Sequence, residues 1–238
     1  AACERGGGGA QGGGKTRCVS SAVSAACAVA TGPKIGALVS GLGTDDTNTA
    51  LAIFGHSGVP YIAYEATGVL HGTFARVTGS NDVQANAMMR VVKTLGWGYL
   101  AIFHEEGSGY AMHGASQTAA AALDIGVNVV LAEPFTAGAN ASHKSAEALR
   151  ASEARASILW CCDCTPIIDA IDRAGAFEEG FFWLLSDCAA AWILAQDPGA
   201  TQHSVTRGVI ALRYTSNPMK KAAVTKILNG PAGASERA

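Results

Sequence analysis

The pattern of apolar and polar positions predicts a strand, a helix and a second strand in the first third of the chain. The apolar run Ile35–Val39 ends at a glycine turn, and Val59–Tyr64 is a second short apolar run. Between them, Thr44 is a natural N-cap, and Asp45 and Asp46 fall in the first helical turn, where carboxylates suit the positive end of the dipole. This order predicts a βαβ unit with a parallel sheet. Ligands of such sheets bind at the carboxyl ends of strands, near helix N-termini.

Short apolar runs and helical periodicity alternate along the rest of the chain. Before the βαβ unit, Cys18–Thr31 predicts an Ala-rich buried helix. The later strands are predicted at Thr73–Thr78, Trp97–His104, Val127–Ala132, Ala156–Cys161, Phe181–Leu185 and Gly208–Arg213. The later helices are predicted at Val83–Leu95, Tyr110–Ile125, Lys144–Ser152, Pro166–Ala174 and Lys220–Leu228. The pattern over residues 188–207 is less regular, but the alternation as a whole is typical of a doubly wound α/β fold.

Composition permits a buried core and argues against two classes of partner. Of the 238 residues, 49% are hydrophobic and 15% are charged, which suits one large domain or two small lobes. The net charge of −2 gives no basis for binding nucleic acid or an anionic membrane surface. No uninterrupted apolar run is long enough to cross a bilayer. The chain begins at Ala1 without a signal-peptide pattern, so we expect a processed N-terminus or a fragment.

A glycine-rich segment at residues 1–17 predicts a low-complexity tail, and it contains a formal phosphate-binding pattern. The pattern is GxxxxGKT at residues 9–16, in which Lys15 and Thr16 would contact nucleotide phosphates and Mg²⁺. In this hypothesis Glu105, which follows a predicted strand, is the acid of a nucleotide hydrolase. Because the pattern needs a buried strand directly before it, and the preceding residues do not form one, nucleotide binding is the weaker alternative.

The cysteines and other short motifs give no catalytic or metal site. Seven cysteines leave at least one without a partner inside the chain. The spacing of Cys161, Cys162 and Cys164 suggests zinc, but no second CxxC or His pair lies at ligand spacing, and we interpret them as core and strand-end thiols. The chain lacks HExxH and GxSxG motifs. An N-glycosylation sequon lies at residues 140–142. We therefore predict no catalytic residue, no cofactor and no metal.

Five segments resemble the type I periplasmic-binding-protein fold, in particular the Venus-flytrap ligand-binding region of class C G-protein-coupled receptors such as the metabotropic glutamate receptors. In family order they are VSGLGTDD, VPYIAYEAT, FARVTGSNDVQANAM, VKTLGWGYLAIFHEEGSGYAMHG and FFWLLSD. The resemblance implies two doubly wound parallel-sheet lobes that close on a small ligand, often an amino acid. It places lobe 1 at residues 18–78, lobe 2 at 79–187, and a return segment towards lobe 1 with a tail at 188–238. Lobe 1 is expected to be incomplete, because a glycine tract stands where the family has its first strand.

The resemblance also places ligand contacts on the first lobe. Thr44 and the backbone of the glycine turn would face a ligand carboxylate. Asp45 stands where the family has a hydroxyl residue, and its like charge argues against an α-amino acid. Thr67 falls on a threonine that contacts ligand, Ala66 would offer its backbone, and Glu65 replaces a serine.

Three further ligand positions fall on the second lobe. Asn81 takes the place of an acidic residue that helps to hold a ligand amine. Tyr110 matches a tyrosine of the family when Gly109 is counted as an insertion. Asp187 matches an acidic residue that pairs with the ligand amine.

Several of these positions also have structural interpretations. Thr44 and Asp45 suit a helix cap. Tyr110 suits a partly buried aromatic residue at the start of a helix, and Asp187 suits a turn at the end of a strand.

The resemblance implies a non-catalytic ligand-binding region of a cell-surface receptor, which signals by closure of its cleft. The expected ligand is a small polar molecule of the amino-acid kind. The expected location is the extracellular side of the plasma membrane, with homodimerisation through lobe 1 and a transmembrane region outside this sequence. The alternatives are a soluble periplasmic-type amino acid binding protein and the phosphate-loop nucleotide-binding protein.

Overall fold

The computed structural model describes residues 36–55, 58–136, 139–177, 180–195, 209–212 and 214. The strands are β1 (Leu38–Ser40), β2 (Tyr61–Ala63), β3 (Ala75–Arg76), β4 (Tyr99–Glu105), β5 (Asn128–Phe135), β6 (Ala156–Trp160), β7 (Phe182–Leu185) and β8 (Val209–Ala211). The helices are α1 (Thr44–Phe54), α2 (Asn81–Thr94), α3 (Gly109–Asp124), α4 (Ala139–Ala151), α5 (Thr165–Arg173) and α6 (Asp187–Ala195). None of these helices is both long and apolar enough to span a membrane.

The described strands form two parallel sheets, which confirms the predicted α/β fold. The first sheet has the order β1-β2-β3, and the second has the order β5-β4-β6-β7-β8. In the second sheet β5 and β6 flank β4 on opposite sides, so the order of strands reverses between β4 and β6. Ligands of open parallel sheets bind outside the carboxyl ends of the strands at such a reversal.

Alternate residues of the second sheet pack into two separate cores. Phe103 and Leu159 belong to the core that α4 and α5 cover, whereas Ile102 and Ile158 belong to the core that α2 and α3 cover. This alternation follows from the two-residue period of a strand. All five residues of β6 are buried, as expected for a central parallel strand with helices on both faces.

The first sheet has a smaller core, made by one face of α1. Leu51 and Phe54 of α1 pack with Tyr61 and Ala63 of β2. Within the described residues this sheet has three strands, and Val39 of β1 is 69% exposed. The predicted tail, the Cys18–Thr31 helix, the Lys15 and Thr16 pattern and the Lys220–Leu228 helix lie outside the described residues.

The structure corrects two predictions about the second half of the chain. The segment after Asp187, predicted to be irregular, starts with helix α6. Its sequence DCAAAWILA is apolar on all sides, so it lacks the polar–apolar period that marks a surface helix. Strand β8, placed by prediction in a return segment towards lobe 1, pairs instead with β7 in the second sheet. This pairing carries the second lobe beyond the predicted boundary at residue 187.

Strand β5 also runs to Phe135, beyond its predicted end at Ala132. It contains Pro134, which has no N–H to donate, and β5 is at the edge of its sheet among the described strands. A proline is tolerated at such an edge.

Candidate functional site

Thr44 joins the start of α1 to the loop that follows β2. Its Oγ1 accepts a hydrogen bond from the backbone N–H of Gly68 at 3.0 Å, and its side chain is buried. A Cβ on Gly68 would lie 2.7 Å from Cγ2 of Thr44, so the loop needs glycine there. The predicted N-cap role of Thr44 is wrong, because Gly43 precedes the helix in an extended conformation and Thr44 is the first helical residue.

A guanidinium group donates hydrogen bonds to the backbone of the loop that follows β2. Arg76 donates from Nη1 to the carbonyl oxygen of Thr67 at 3.2 Å and from Nη2 to the carbonyl oxygen of Gly68 at 2.5 Å. The Thr67 carbonyl also accepts the backbone N–H of Asn81, the first residue of α2, at 2.8 Å. Burial lowers the pKa of Arg76, while nearby Asp82 and Tyr214 act in the opposite direction. The loop is therefore fixed to both lobes.

Asn81, Tyr110 and Asp187 connect the N-termini of α2, α3 and α6. The fully buried Asn81 donates from Nδ2 to the carbonyl oxygen of Tyr110 at 2.7 Å, and its Oδ1 has no hydrogen-bond partner among the described residues. The Tyr110 hydroxyl donates to Oδ1 of Asp187 at 2.5 Å. Burial raises the pKa of Tyr110, and the charge of Asp187 raises it further. The ring of Tyr110 meets Trp160 edge-on, with 5.5 Å between centroids.

Asp45 makes a direct contact between the two lobes. Its Oδ2 accepts the backbone N–H of Gly109, the first residue of α3, at 3.1 Å. A Cβ on Gly109 would overlap the Asp45 carboxylate, so glycine at this position permits the approach. Gly109 is the residue that the resemblance counts as an insertion.

Four residues near this network were missed by sequence reasoning: Arg76, Asp82, His113 and Tyr214. The Tyr214 hydroxyl donates to the carbonyl oxygen of Ser80 at 2.7 Å. Burial raises the pKa of Tyr214, as do Asp187 and Asp82, while Arg76 lowers it. Burial lowers the pKa of His113, which Asp82 raises and Arg76 lowers. Arg76 carried a usable signal, because it is the only Lys or Arg between residues 35 and 89.

Most of the predicted site residues thus meet where the two lobes join. Hydrogen bonds connect Thr44, Asp45, Thr67, Asn81, Tyr110 and Asp187 into one set of neighbouring contacts. Ala66 is fully buried in the core of the first lobe, while Glu65 is exposed and outside this network. The carboxylate of Asp82 acts on the ionisation of Arg76, and those of Asp45 and Asp187 each accept a hydrogen bond in the network. The arrangement places charged and hydrogen-bonding groups of both lobes around one junction.

Four cysteines form disulfides beside this junction, which corrects the interpretation of Cys161, Cys162 and Cys164 as thiols. Cys161 is bonded to Cys164, and Cys162 is bonded to Cys188. Oxidised sulfur cannot supply the thiolates that zinc needs, and the described residues contain no group of three metal-ligating side chains. The Cys162–Cys188 bond fixes the start of α6 to the end of β6. Glu105, the acid of the nucleotide hypothesis, accepts the backbone N–H of Cys162 at 3.0 Å.

Comparison with known proteins gives a family match and a distant relative. The family model described as receptor family ligand binding region matches residues 15–231. The metabotropic glutamate receptor-like protein E of Dictyostelium discoideum is 26% identical over 168 residues, which cover 64% of this chain and 20% of that protein. The matched part of this chain therefore spans about a fifth of the relative's length.

Proposed function

Because the chain belongs to the family of receptor ligand-binding regions, we propose that it binds a small polar molecule between its two lobes without transforming it. The observation that carries this proposal is the hydrogen-bonded network at the lobe junction. The network joins the N-termini of α1, α2, α3 and α6, and it includes side chains from both lobes. Helix N-termini and charged side chains at the ends of parallel strands are the usual elements of a ligand site in such folds.

The residues proposed to hold the ligand lie on both lobes. Thr44 and Asp45, with the Ala66–Thr67 loop, form the side from the first lobe, and Glu65 stands at its exposed rim. Asn81, Tyr110 and Asp187 form the side from the second lobe. A ligand that contacts both sides stabilises the closed arrangement relative to the open one, which shifts the population of the two states.

The receptor context is proposed from the family and from the relative. We place this region on the extracellular side of the plasma membrane, as part of a longer protein that carries the transmembrane region and dimerises through lobe 1. A soluble periplasmic-type binder would use the same cleft, so the two alternatives differ in what the closed state contacts rather than in ligand binding.

A thermal-shift screen tests the proposal. The probes are the proteinogenic amino acids, the amines that their decarboxylation yields, and small polar metabolites. We expect at least one compound to raise Tm in a concentration-dependent way, because a ligand that binds only the folded state adds RT ln(1 + [L]/Kd) to its stability. If no compound of the panel raises Tm, the proposal is wrong.

A variant pair shows whether the compound binds at the lobe junction. Asp187→Asn keeps the size and the acceptor of the side chain and removes the charge, so it is expected to abolish or strongly weaken the shift. Asp169→Asn on α5 makes the same charge change at an exposed position outside the network and is expected to leave the shift intact. Equal effects of the two variants would place binding elsewhere.

A further inference from the structure

The two disulfides beside the junction differ in their access to solvent. Cys161 and Cys164 are fully buried in the core that α4 and α5 cover. Cys162, which follows Cys161 in sequence, is exposed, and its partner Cys188 is partly buried. Thiol–disulfide exchange needs a thiolate to reach a sulfur atom, so it depends on access. Among these four cysteines, an external thiol therefore reaches Cys162 first.

The backbone at Cys162 is held in place by contacts that do not involve its own disulfide. The bond between Cys161 and Cys164 closes the loop that joins β6 to α5. On the other side, Oε2 of Glu105 accepts the backbone N–H of Cys162 at 3.0 Å. Opening of the Cys162–Cys188 bond therefore leaves this loop in place, and the freedom that is gained goes to the segment that carries Cys188.

That segment is the first turn of α6, and it holds the hydroxyl of Tyr110. Asp187 accepts the hydrogen bond of this hydroxyl at 2.5 Å, and the backbone of Cys188 is hydrogen-bonded to the same hydroxyl. Ala189 and Ala190, which follow directly, are buried in the core that α4 and α5 cover. Because this packing does not depend on the disulfide, its opening is expected to shift the first turn of α6 without unfolding the helix.

We propose that the Cys162–Cys188 disulfide is a redox switch that sets the position of Asp187 and, through it, the affinity of the cleft for its ligand. A thiolate of an external dithiol attacks Sγ of Cys162, forms a mixed disulfide there and releases Cys188 as a thiolate, which takes up a proton. The second thiol of the reagent then displaces Cys162 as a thiol, and the reagent leaves as a cyclic disulfide. Two electrons and two protons thus pass from the dithiol to the two cysteines. The effect on affinity rests on the proposed function, whereas the shift of α6 does not.

Differential alkylation of the intact protein tests which bond opens. The protein is treated for a fixed time with increasing concentrations of dithiothreitol and quenched with acid. Free thiols are then alkylated with N-ethylmaleimide in denaturant and located by peptide mass spectrometry. Cys162 and Cys188 are expected to be modified at a dithiothreitol concentration about tenfold lower than Cys161 and Cys164. Modification of both pairs at one concentration, or of Cys161 and Cys164 first, would overturn the proposal.

Two measurements at a dithiothreitol concentration that opens only this bond test its consequences. Hydrogen–deuterium exchange is expected to rise in the first turn of α6 and to stay unchanged at the start of α5. The most stabilising compound of the thermal-shift screen, titrated by calorimetry, is expected to bind the reduced protein on the order of tenfold more weakly than the oxidised protein. Re-oxidation with oxidised glutathione is expected to restore both values.

The double variant Cys162→Ala/Cys188→Ala is the matched control for other effects of the reagent. It is expected to have the lower affinity of the reduced protein both with and without dithiothreitol. If dithiothreitol weakens binding by this variant as much as by the wild type, the effect arises elsewhere and the proposal is overturned. If the variant does not fold, the reduced and oxidised wild-type proteins give the comparison, with far-UV circular dichroism as the check that both are folded.

The outcomes separate the switch from the proposed function. If the bond opens and neither exchange in α6 nor affinity changes, the switch is overturned while the proposed function stands. Loss of the circular dichroism signal when the bond opens would also overturn it, because the bond would then hold the whole fold together. If no compound of the screen binds, the proposed function fails, and the exchange measurement alone decides whether the bond controls the start of α6.

Discussion

Replacing Gly114 by alanine is expected to destabilise the second lobe by about 2 kcal/mol, from overpacking against Trp160. Gly114 lies in the middle of α3, where an added Cβ would overlap the six-membered ring of Trp160. That indole is fully buried, and its Nε1 donates to Oγ1 of Thr118 at 3.0 Å. The ring also supports Tyr110 of the candidate site through an edge-on contact. Its position is therefore fixed by contacts with both Thr118 and Tyr110.

The magnitude follows from two destabilising effects and one stabilising effect. Inserting a methyl group into a close-packed core costs about 1 to 3 kcal/mol. Displacement of the indole also weakens its buried hydrogen bond with Thr118, which contributes about 1 kcal/mol. Alanine is favoured over glycine in a helix by about 1 kcal/mol, which offsets part of this cost. The expected net loss of about 2 kcal/mol corresponds to a fall in Tm of about 4 to 8 °C for a chain of this size.

Urea denaturation followed by far-UV circular dichroism measures this loss. An m-value equal to that of the wild type shows that unfolding exposes the same surface in both proteins. Gly98→Ala is the matched control, since no atom lies within 4 Å of a Cβ placed there. It is expected to be neutral or slightly stabilising. A Gly114→Ala midpoint equal to that of Gly98→Ala would refute the reasoning that Trp160 cannot yield.

Two further predictions concern the covalent and ionisable partners of the site. The double variant Cys162→Ala/Cys188→Ala is expected to lose about 3 to 4 kcal/mol of unfolding free energy, because the disulfide that it removes closes a loop of 26 residues. A urea midpoint equal to that of the oxidised wild type would contradict this prediction. Because Tyr110 has a raised pKa in the folded state, the stability that its neutral hydroxyl contributes is present below the ordinary tyrosine pKa of about 10 and is lost as pH rises above it. The difference in unfolding free energy between wild type and Tyr110→Phe is therefore expected to become smaller above about pH 10 in thermal scans. A difference that does not depend on pH would contradict the assignment.

Local patterns were sufficient to predict most of the α/β elements. The run Ala156–Cys161 was recognised as a strand because apolar residues follow one another without interruption, and the structure has β6 at Ala156–Trp160. Helix α6 was missed because its apolar residues cover every side and leave no period to detect. The position of β8 was also beyond sequence reasoning, since strand partners are chosen by the packing of the whole sheet and not by local composition.

The candidate site was predictable in its members but not in its contacts. The resemblance placed Tyr110 and Asp187, and the structure joins them by a hydrogen bond. The contact between Asp45 and Gly109 depends on how two lobes that are distant in sequence come together, for which no local pattern exists. Cysteine pairing was likewise undetermined, because seven cysteines allow many connectivities.

Hydrogen–deuterium exchange on the protein, with and without the most stabilising compound of the screen, tests most directly the claim that a ligand binds between the lobes. The account predicts increased protection on both sides of the junction: in the loop that contains Gly68 and at the start of α3 around Gly109. The helix Thr165–Arg173, which packs on the face of the second sheet opposite α2 and α3, is expected to change little beyond the global gain in stability. Protection confined to one lobe, or absent at both segments while the compound binds, would contradict the account.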